Sequence, residues 1–378
     1  MCIYLDNSAT TPVCENAKKK MLQALDTAWG NPSSFHNKGI EALTLLDDAR
    51  KTVSEKLGAE SEEIYFTSGG TVSNNIAVFG AVKANARKGK KIVTTSVEHP
   101  SVEKAMKALE NSGYEVVRLK VDENCRINKK DILDAIDENT ILVSMMYVNN
   151  EVGAIFPIEF LKKAVRNKNA PALIHCDAVQ AFGKIDIDVK KLGVDLLSVS
   201  SHKVNGPKGA GALYVRKGVR IVSPVVGGGQ EGDICPGTQA MPAISGFCGA
   251  VQEIYCNFAE NLEKIGEIRN SFIENILKTD GIKINSPSNG LPYIINISVE
   301  GIPSQPMITF LSQNGVCVSG GSACAKGHRS PTLSAMGLSV DRIDSAIRIS
   351  MSKNTTLSEL LKTADLIEKA VRTLRKSR

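Results

Sequence analysis

Between residues 62 and 215, short apolar runs alternate with stretches whose apolar positions recur every three or four residues. The runs are EEIYF, KIVTT, YEVVRL, TILVSMMYV, APALIHC and VDLLSVS, and helical spacing marks Ser73–Arg87, Ser101–Glu110 and Ile158–Arg166 among the stretches between them. Strands alternating with helices predict a mostly parallel sheet covered on both faces. Ligands in such sheets bind beyond the carboxyl ends of the strands, so the loops after the runs are where chemistry is expected.

Beyond the glycines at 227–229 the texture changes. A long helical region is predicted from Pro242 to Lys278, interrupted softly at Gly246, Gly249 and Gly266. A strand-like YIINISV, a helix from Ser304, a Gly/Ser-rich loop around Cys324, a strand-like AIRISM and a closing helix through Leu357–Leu374 follow. The expected architecture is α/β: a large domain over residues 14–250 with a mostly parallel seven-stranded sheet, and a smaller α+β domain over 251–378, joined by residues 1–13.

Composition narrows the class without naming it. Hydrophobic residues at 42% and charged residues at 23% are ordinary for a globular chain. The net charge of +6 has no basic stretch interleaved with aromatics, so no direct nucleic-acid contact is expected. No apolar run reaches the length of a membrane span, and MCIYLDNSATTP lacks a signal-peptide pattern. Nine scattered cysteines without a C-x-x-C pair argue for reduced thiols, a cytoplasmic setting and no structural metal site.

Six segments carry candidate chemistry. Lys203 follows the run VDLLSVS in a loop tightened by Gly206, Pro207 and Gly209, where a lysine of lowered pKa can condense with an aldehyde; a surface lysine in a turn is the bland reading. Asp177 ends ALIHCD and faces the same way, as a partner for a ring nitrogen or as a helix cap. Gly70 and Thr71 open a helix after FTSG, a weak phosphate-cradle signal taken alone. His99 ends the KIVTT segment, placed to stack on a planar group or to be merely structural, while His36, His175 and His328 carry no positional argument. Cys324 sits among Gly320, Gly321, Gly327, Lys326, His328 and Arg329, the cationic, glycine-rich setting of a reactive thiolate. Arg348, inside AIRISM, needs an anionic partner, either a substrate carboxylate or an internal salt bridge.

The motifs LDNSATTP, GNPSS, FTSGGT, EHPSV, VNNEVG, HCDAVQ, SSHKVNGPKGAGALYV, GGGQE, PGT, SGGSAC and IRIS occur in that order along essentially the whole chain. In that order they resemble the NifS/IscS-type cysteine desulfurases of the class V aminotransferase family, within the fold-type-I pyridoxal-phosphate (PLP) enzymes. The resemblance implies PLP as cofactor, with Lys203 bonded to it, Asp177 on the pyridine nitrogen, His99 on the ring face, and Gln180 and Asn150 on the phenolic side. Gly70, Thr71, Ser200 and His202 would serve the phosphate, with Thr238 reaching over from the second subunit of a homodimer. Arg348, aided by Asn150, would bind the carboxylate of L-cysteine, and Cys324 would accept its sulfur as a persulfide. An acceptor protein, an iron–sulfur scaffold or a tRNA-thiolation enzyme, would then take that sulfur, with Cys324 as a transient cluster-iron ligand on the scaffold left open.

The chain departs from the pattern at several places. Gly232 and Cys235 stand where relatives carry arginine, and Ala240 where they carry asparagine. Val72, Val179, Ser352 and Lys353 also replace usual residues. A selenocysteine lyase, another PLP lyase or transaminase, and a degenerate paralogue acting through partners are the alternatives, the first two needing no Cys324.

Overall fold

The computed structural model describes residues 2–320 and 329–375. Its strands are β1 Ile3–Tyr4, β2 Ile64–Thr67, β3 Lys91–Thr95, β4 Glu115–Leu119, β5 Thr140–Met146, β6 Leu173–Asp177, β7 Leu196–Ser200, β8 Gly211–Val215, β9 Ile282–Ile284, β10 Ile294–Val299, β11 Val316–Cys317 and β12 Ala346–Ser350. Seven of them form one sheet in the order β2-β8-β7-β6-β5-β3-β4. β3 to β7 pair in parallel, and β8 runs antiparallel to both β7 and β2. The central strands β5 and β7 are buried at every position, which is why their sequences read as continuous apolar runs without alternation.

Helices Gly70–Asn85 and Pro100–Asn111 follow β2 and β3 and pack back on the sheet, as right-handed crossovers require. The helix Ser304–Gln313 packs on a separate antiparallel sheet, β12-β10-β9, and the closing helix Leu357–Leu374 packs on Ser304–Gln313 and on Phe258–Ile276. β1 pairs with β11 in parallel, and Asp6 bridges to Ser350 at the end of β12. The first ten residues therefore run from the small sheet to the carboxyl ends of the large one.

The long helical region divides at Cys256–Asn257 into helices Met241–Tyr255 and Phe258–Ile276, not at the glycines. Gly246 and Gly249 are packing positions. A Cβ on Gly249 would lie 2.7 Å from the Asn16 carbonyl oxygen, and one on Gly246 would lie 2.5 Å from Met21 Cγ. They let the helix Glu15–Thr27 come close enough for Asn16 Nδ2 to donate to the Gly249 carbonyl at 2.9 Å. No helix among the described residues is long and apolar enough to cross a membrane.

Candidate active site

The carboxyl ends of β2, β5, β6 and β7 open onto a cavity of about 610 Å³. Gly70, Thr71, His99, Asn150, Asp177, Gln180, Ser200, His202, Lys203 and Arg348 all line it. These ten sequence candidates come from positions scattered over 279 residues (348 − 70 + 1), and the sheet brings them together. Thr238 is not among the lining residues of this single chain; it is exposed. Cys324 lies outside the described residues.

Lys203 stands in a one-turn 3-10 helix, Ser201–Lys203, directly after β7. Its Nζ donates to the carbonyl oxygens of Ser8 and Ala9, the latter at 2.8 Å. The same N-terminal segment is strapped to the loop from below: the Thr11 hydroxyl donates to the His202 carbonyl at 2.9 Å and accepts the Asn205 N–H at 2.8 Å. Gln180 Nε2 also donates to the Ser8 carbonyl, at 3.0 Å, so Gln180 and Lys203 share one acceptor.

Asp177 is the last residue of β6 and is buried. Its Oδ2 accepts from Asn74 Nδ2 at 2.7 Å and its Oδ1 from the Val179 N–H at 3.0 Å. Asn74 comes from the helix Gly70–Asn85 and reaches Ser101 as well, at 2.9 Å. Ser101 in turn meets Nδ1 of His99, the N-cap of the helix Pro100–Asn111, at 2.8 Å. Because Nδ1 accepts the Ser101 N–H at 3.2 Å, any ring proton of the neutral imidazole sits on Nε2. Burial lowers the His99 pKa, Asp177 opposes that and Lys203 adds to it. The imidazole is thus held neutral, as a flat face and not a cation.

A third element is the start of the helix Gly70–Asn85. Its N-cap Gly69 has φ 145°, a value open to glycine alone, and its first turn leaves backbone N–H groups without helical partners. A Cβ on Gly70 would come within 2.7 Å of Val179 Cγ2 and 3.5 Å of Ser200 Cβ, so the bare glycine keeps the mouth of the helix open. The Ser200 hydroxyl, beside it, is buried without a hydrogen-bond partner. Lys203 and Lys208 line the same cavity, and burial, then Lys203, Lys208 and Lys184, depress His202 to about 4. Helix N-terminus, orphan hydroxyl and the two lysines on the wall together make a cradle for an anion such as a phosphate.

Arg348 enters from β12 and is 1% exposed. Nη2 pairs with Asp6 Oδ1 at 2.9 Å and Nη1 donates to the Asn150 carbonyl at 2.8 Å, while Nε is buried without a partner. Both readings of this arginine are present at once: an internal ion pair, and a donor left over on the cavity wall.

Residues given no individual role in the sequence complete the lining, among them Ser8, Ala9 and Thr10 of LDNSATTP, Ser101 of EHPSV, Asn74, Met146 and Val148. Asn74 and Ser101 are small polar residues inside helices, where only the tertiary contact gives them meaning. Cys235, at an arginine position of the resembling family, is partly buried against the apolar cluster that includes Ile76, Val78, Leu213 and Val215, and burial followed by Glu231 raises its thiol pKa. It is a packing residue. Its neighbour Glu231 is buried at φ 48° and clamped by both Nη atoms of Arg50, at 2.8 and 2.9 Å, and by the Phe66 N–H at 2.8 Å.

The model of the aminotransferase class-V family matches residues 3–362. A cysteine desulfurase IscS of Dictyoglomus turgidum is 39% identical over 377 residues, spanning 99% of this chain and 95% of the relative. Among solved structures, a NifS-like protein superposes with TM-score 0.93 at 35% identity, covering 99% of this chain and 100% of that one. SspA in complex with cysteine does so with TM-score 0.83 at 33% identity, covering 94% and 100%.

Proposed function

The chain belongs to the aminotransferase class-V family, and on that premise we propose that it is a PLP-dependent cysteine desulfurase, moving sulfur from L-cysteine to Cys324 and releasing L-alanine. The observation that carries this reading is the meeting of Lys203, the Asn74-held Asp177 and a glycine-opened helix N-terminus around one cavity. The residues present fit the cofactor: the orphan Ser200 hydroxyl with Gly70, Thr71 and His202 would take its phosphate. Asp177 would hold a proton on its ring nitrogen, neutral His99 would cover its face, and Gln180 and Asn150 would serve its phenolic oxygen. Bound there, PLP supplies an electron sink that acidifies the Cα–H of an attached amino acid.

The chain's own residues do the rest. Lys203 Nζ takes the Cα proton, held in place by the Ser8 and Ala9 carbonyls. Arg348 orients the substrate carboxylate through its unpartnered Nε, with Asp6 fixing the guanidinium plane. The Cys324 thiolate attacks the substrate sulfur: an S–S bond forms, the C–S bond breaks, and a proton takes the place of sulfur on the carbon. Cysteine and protein thiol become alanine and protein persulfide, with no external oxidant or reductant. An acceptor protein for iron–sulfur assembly or tRNA thiolation then collects the sulfur.

A homodimer is part of the proposal. Leu22, Leu25, Trp29, Phe35, Ile40 and Leu43 are all exposed, Phe35 completely, on one stretch of the chain ending in the helix Asn37–Glu55. An apolar surface of that kind, with exposed Thr238, supports a second copy covering it.

The test is sulfide and alanine release from L-cysteine with a reductant, in wild type and Cys324→Ala, with the visible spectrum recorded alongside. Stoichiometric release by a yellow protein, lost in the variant, is expected. Equal activity in the variant makes the protein a PLP lyase that does not use Cys324, and a colourless protein that PLP cannot reconstitute overturns both readings.

A further inference from the structure

Two cysteines that no step above employs meet where the first strand joins the small domain. Cys2 Sγ lies 3.3 Å from Cys317 Sγ, although the residues are 315 positions apart. It is the one thiol–thiol contact among the described residues. The register of the parallel pair β1–β11 explains it. Ile3 stands opposite Val316 and Tyr4 opposite Cys317. Side chains alternate along a strand, so Cys2, two residues before Tyr4, projects from the same face as Cys317.

The two thiols differ in what they can do. Cys2 is exposed and Cys317 half-buried. The Cys2 thiol is the largest cause holding the Cys317 pKa above its usual value, with burial next. Cys317 therefore keeps its proton, and exposed Cys2 is the sulfur a reagent meets first. Elsewhere burial pushes Cys125 up to about 12 and Cys176 well above its usual value, which leaves those thiols inert. A disulfide holds its sulfurs at about 2.05 Å, so the pair must close by about 1.3 Å. Cys2 can supply that movement because it precedes β1; the ladder bond nearest to it, from the Ile3 N–H to the Gly315 carbonyl at 2.8 Å, belongs to the next residue.

We propose that Cys2 and Cys317 form a reversible disulfide site, oxidised by low-molecular-weight disulfides, that staples β1 to β11. The Cys2 thiolate attacks one sulfur of the reagent, giving a mixed disulfide and releasing one small thiol. Cys317 then gives up its proton and attacks the Cys2 sulfur; the protein S–S bond forms, the mixed disulfide breaks and a second small thiol leaves. The protein loses two protons and two electrons, and the reagent takes up both.

The staple lands on a segment the cavity depends on. Four residues beyond Cys2, Asp6 pairs with Arg348, and Ser8 and Ala9 then hold Lys203. Two residues beyond Cys317, Ser319 exchanges backbone hydrogen bonds with Arg348. Both strands already lie in register, so the bond fixes this arrangement without rebuilding it. Resistance to unfolding should rise, because the unfolded chain is constrained across nearly its whole length.

The experiment treats the full chain with oxidised glutathione, for wild type, Cys2→Ser and Cys317→Ser. Intact mass without reductant, a peptide map and the urea midpoint are the readouts. Wild type should lose both thiols and two hydrogen atoms in mass, with the Cys2 and Cys317 peptides joined inside one chain, and dithiothreitol should reverse this. Cys317→Ser should stop at a glutathione adduct on Cys2, the first step trapped. The urea midpoint should rise on oxidation in wild type and in neither variant. A wild type that halts at the Cys2 adduct, fails to react, or joins either cysteine to another thiol or a second chain overturns the proposal. A joined pair with an unmoved midpoint overturns the stapling.

Discussion

His175 gives the fold a measurable pH dependence. The residue lies in the middle of β6, fully buried, with Nδ1 2.8 Å from Ser144 Oγ on β5 and Nε2 3.1 Å from Ser198 Oγ on β7. It ties three parallel strands together two residues below Asp177. Burial drives its pKa from 6.5 down to about 4, with Asp177 only partly opposing. The folded pKa is below the unfolded one, so the unfolded chain binds the extra proton as pH falls. The stabilisation is complete above about pH 7.5 and is lost between about 6.5 and 4. With these two values the loss on going from pH 7.5 to pH 5 is about 2 kcal/mol, approaching about 3 kcal/mol below pH 4. The perturbation is His175→Gln, which removes the titrating ring and disturbs two hydrogen bonds, at a cost of about 1–2 kcal/mol at pH 7.5. Urea unfolding of both proteins at pH 7.5 and pH 5 isolates the ring, because contributions of the other titrating groups are common to both and cancel in the difference. The gap between wild type and variant should close by about 2 kcal/mol at the lower pH. A gap that stays constant would show that the imidazole takes its proton without cost inside the sheet, and the reasoning from burial would be wrong.

Three further outcomes follow from the site. Borohydride reduction of the PLP-loaded protein should fix the cofactor on Lys203, and Lys203→Ala should retain no covalent label; a label on another lysine in the wild-type peptide map would remove Lys203 from its role. Gly70→Ala puts a methyl 2.7 Å from Val179 Cγ2 at the mouth of the helix, so PLP affinity measured by fluorescence titration should weaken about tenfold or more while Tm of the apo protein changes little; unchanged affinity would move the phosphate elsewhere. The Glu98 carboxyl, buried and with Oε2 unpartnered, is pushed up to about 8. Its folded pKa is above the unfolded one, so it costs stability increasingly as pH rises from about 4.5 to 8; Glu98→Gln should flatten that slope and stabilise the protein by about 1–3 kcal/mol at pH 8, and an identical slope in the variant would count against a protonated Glu98.

Much of this was legible along the chain because the signals were local. Apolar runs bounded by turn residues gave the six strands β2 to β7 to within a few residues, and the strand-end loops supplied Lys203, Asp177, His99 and Gly70. Where the reading slipped, a nonlocal contact decided. Gly246 and Gly249 look like helix breakers, but against the helix Glu15–Thr27 they serve close packing, and the real break falls at Cys256–Asn257. The short N-terminal stretch Ser8–Thr10 shows no periodicity at all, yet its carbonyls hold Lys203. Asn74 sits one helical turn beyond Gly70, and only the neighbouring strand end makes it the partner of Asp177. Arg348 was rightly read as needing an anion; that Asp6 supplies one from the other end of the chain lay beyond any window of sequence.

That last contact also fixes when, during synthesis, the enzyme can first exist. Asp6 and Arg348 are 342 positions apart, and the ladder from Leu5 to Ser350 closes beside them. At about 5–20 residues per second, a ribosome needs roughly 17–70 s to bridge that interval. Once Val215 is made, every strand of the seven-stranded sheet has been synthesised, with Lys203 and Asp177 at their ends, while the Arg348 wall is still missing. A nascent chain thus carries Lys203 and Asp177 before it carries the arginine that completes the cavity wall.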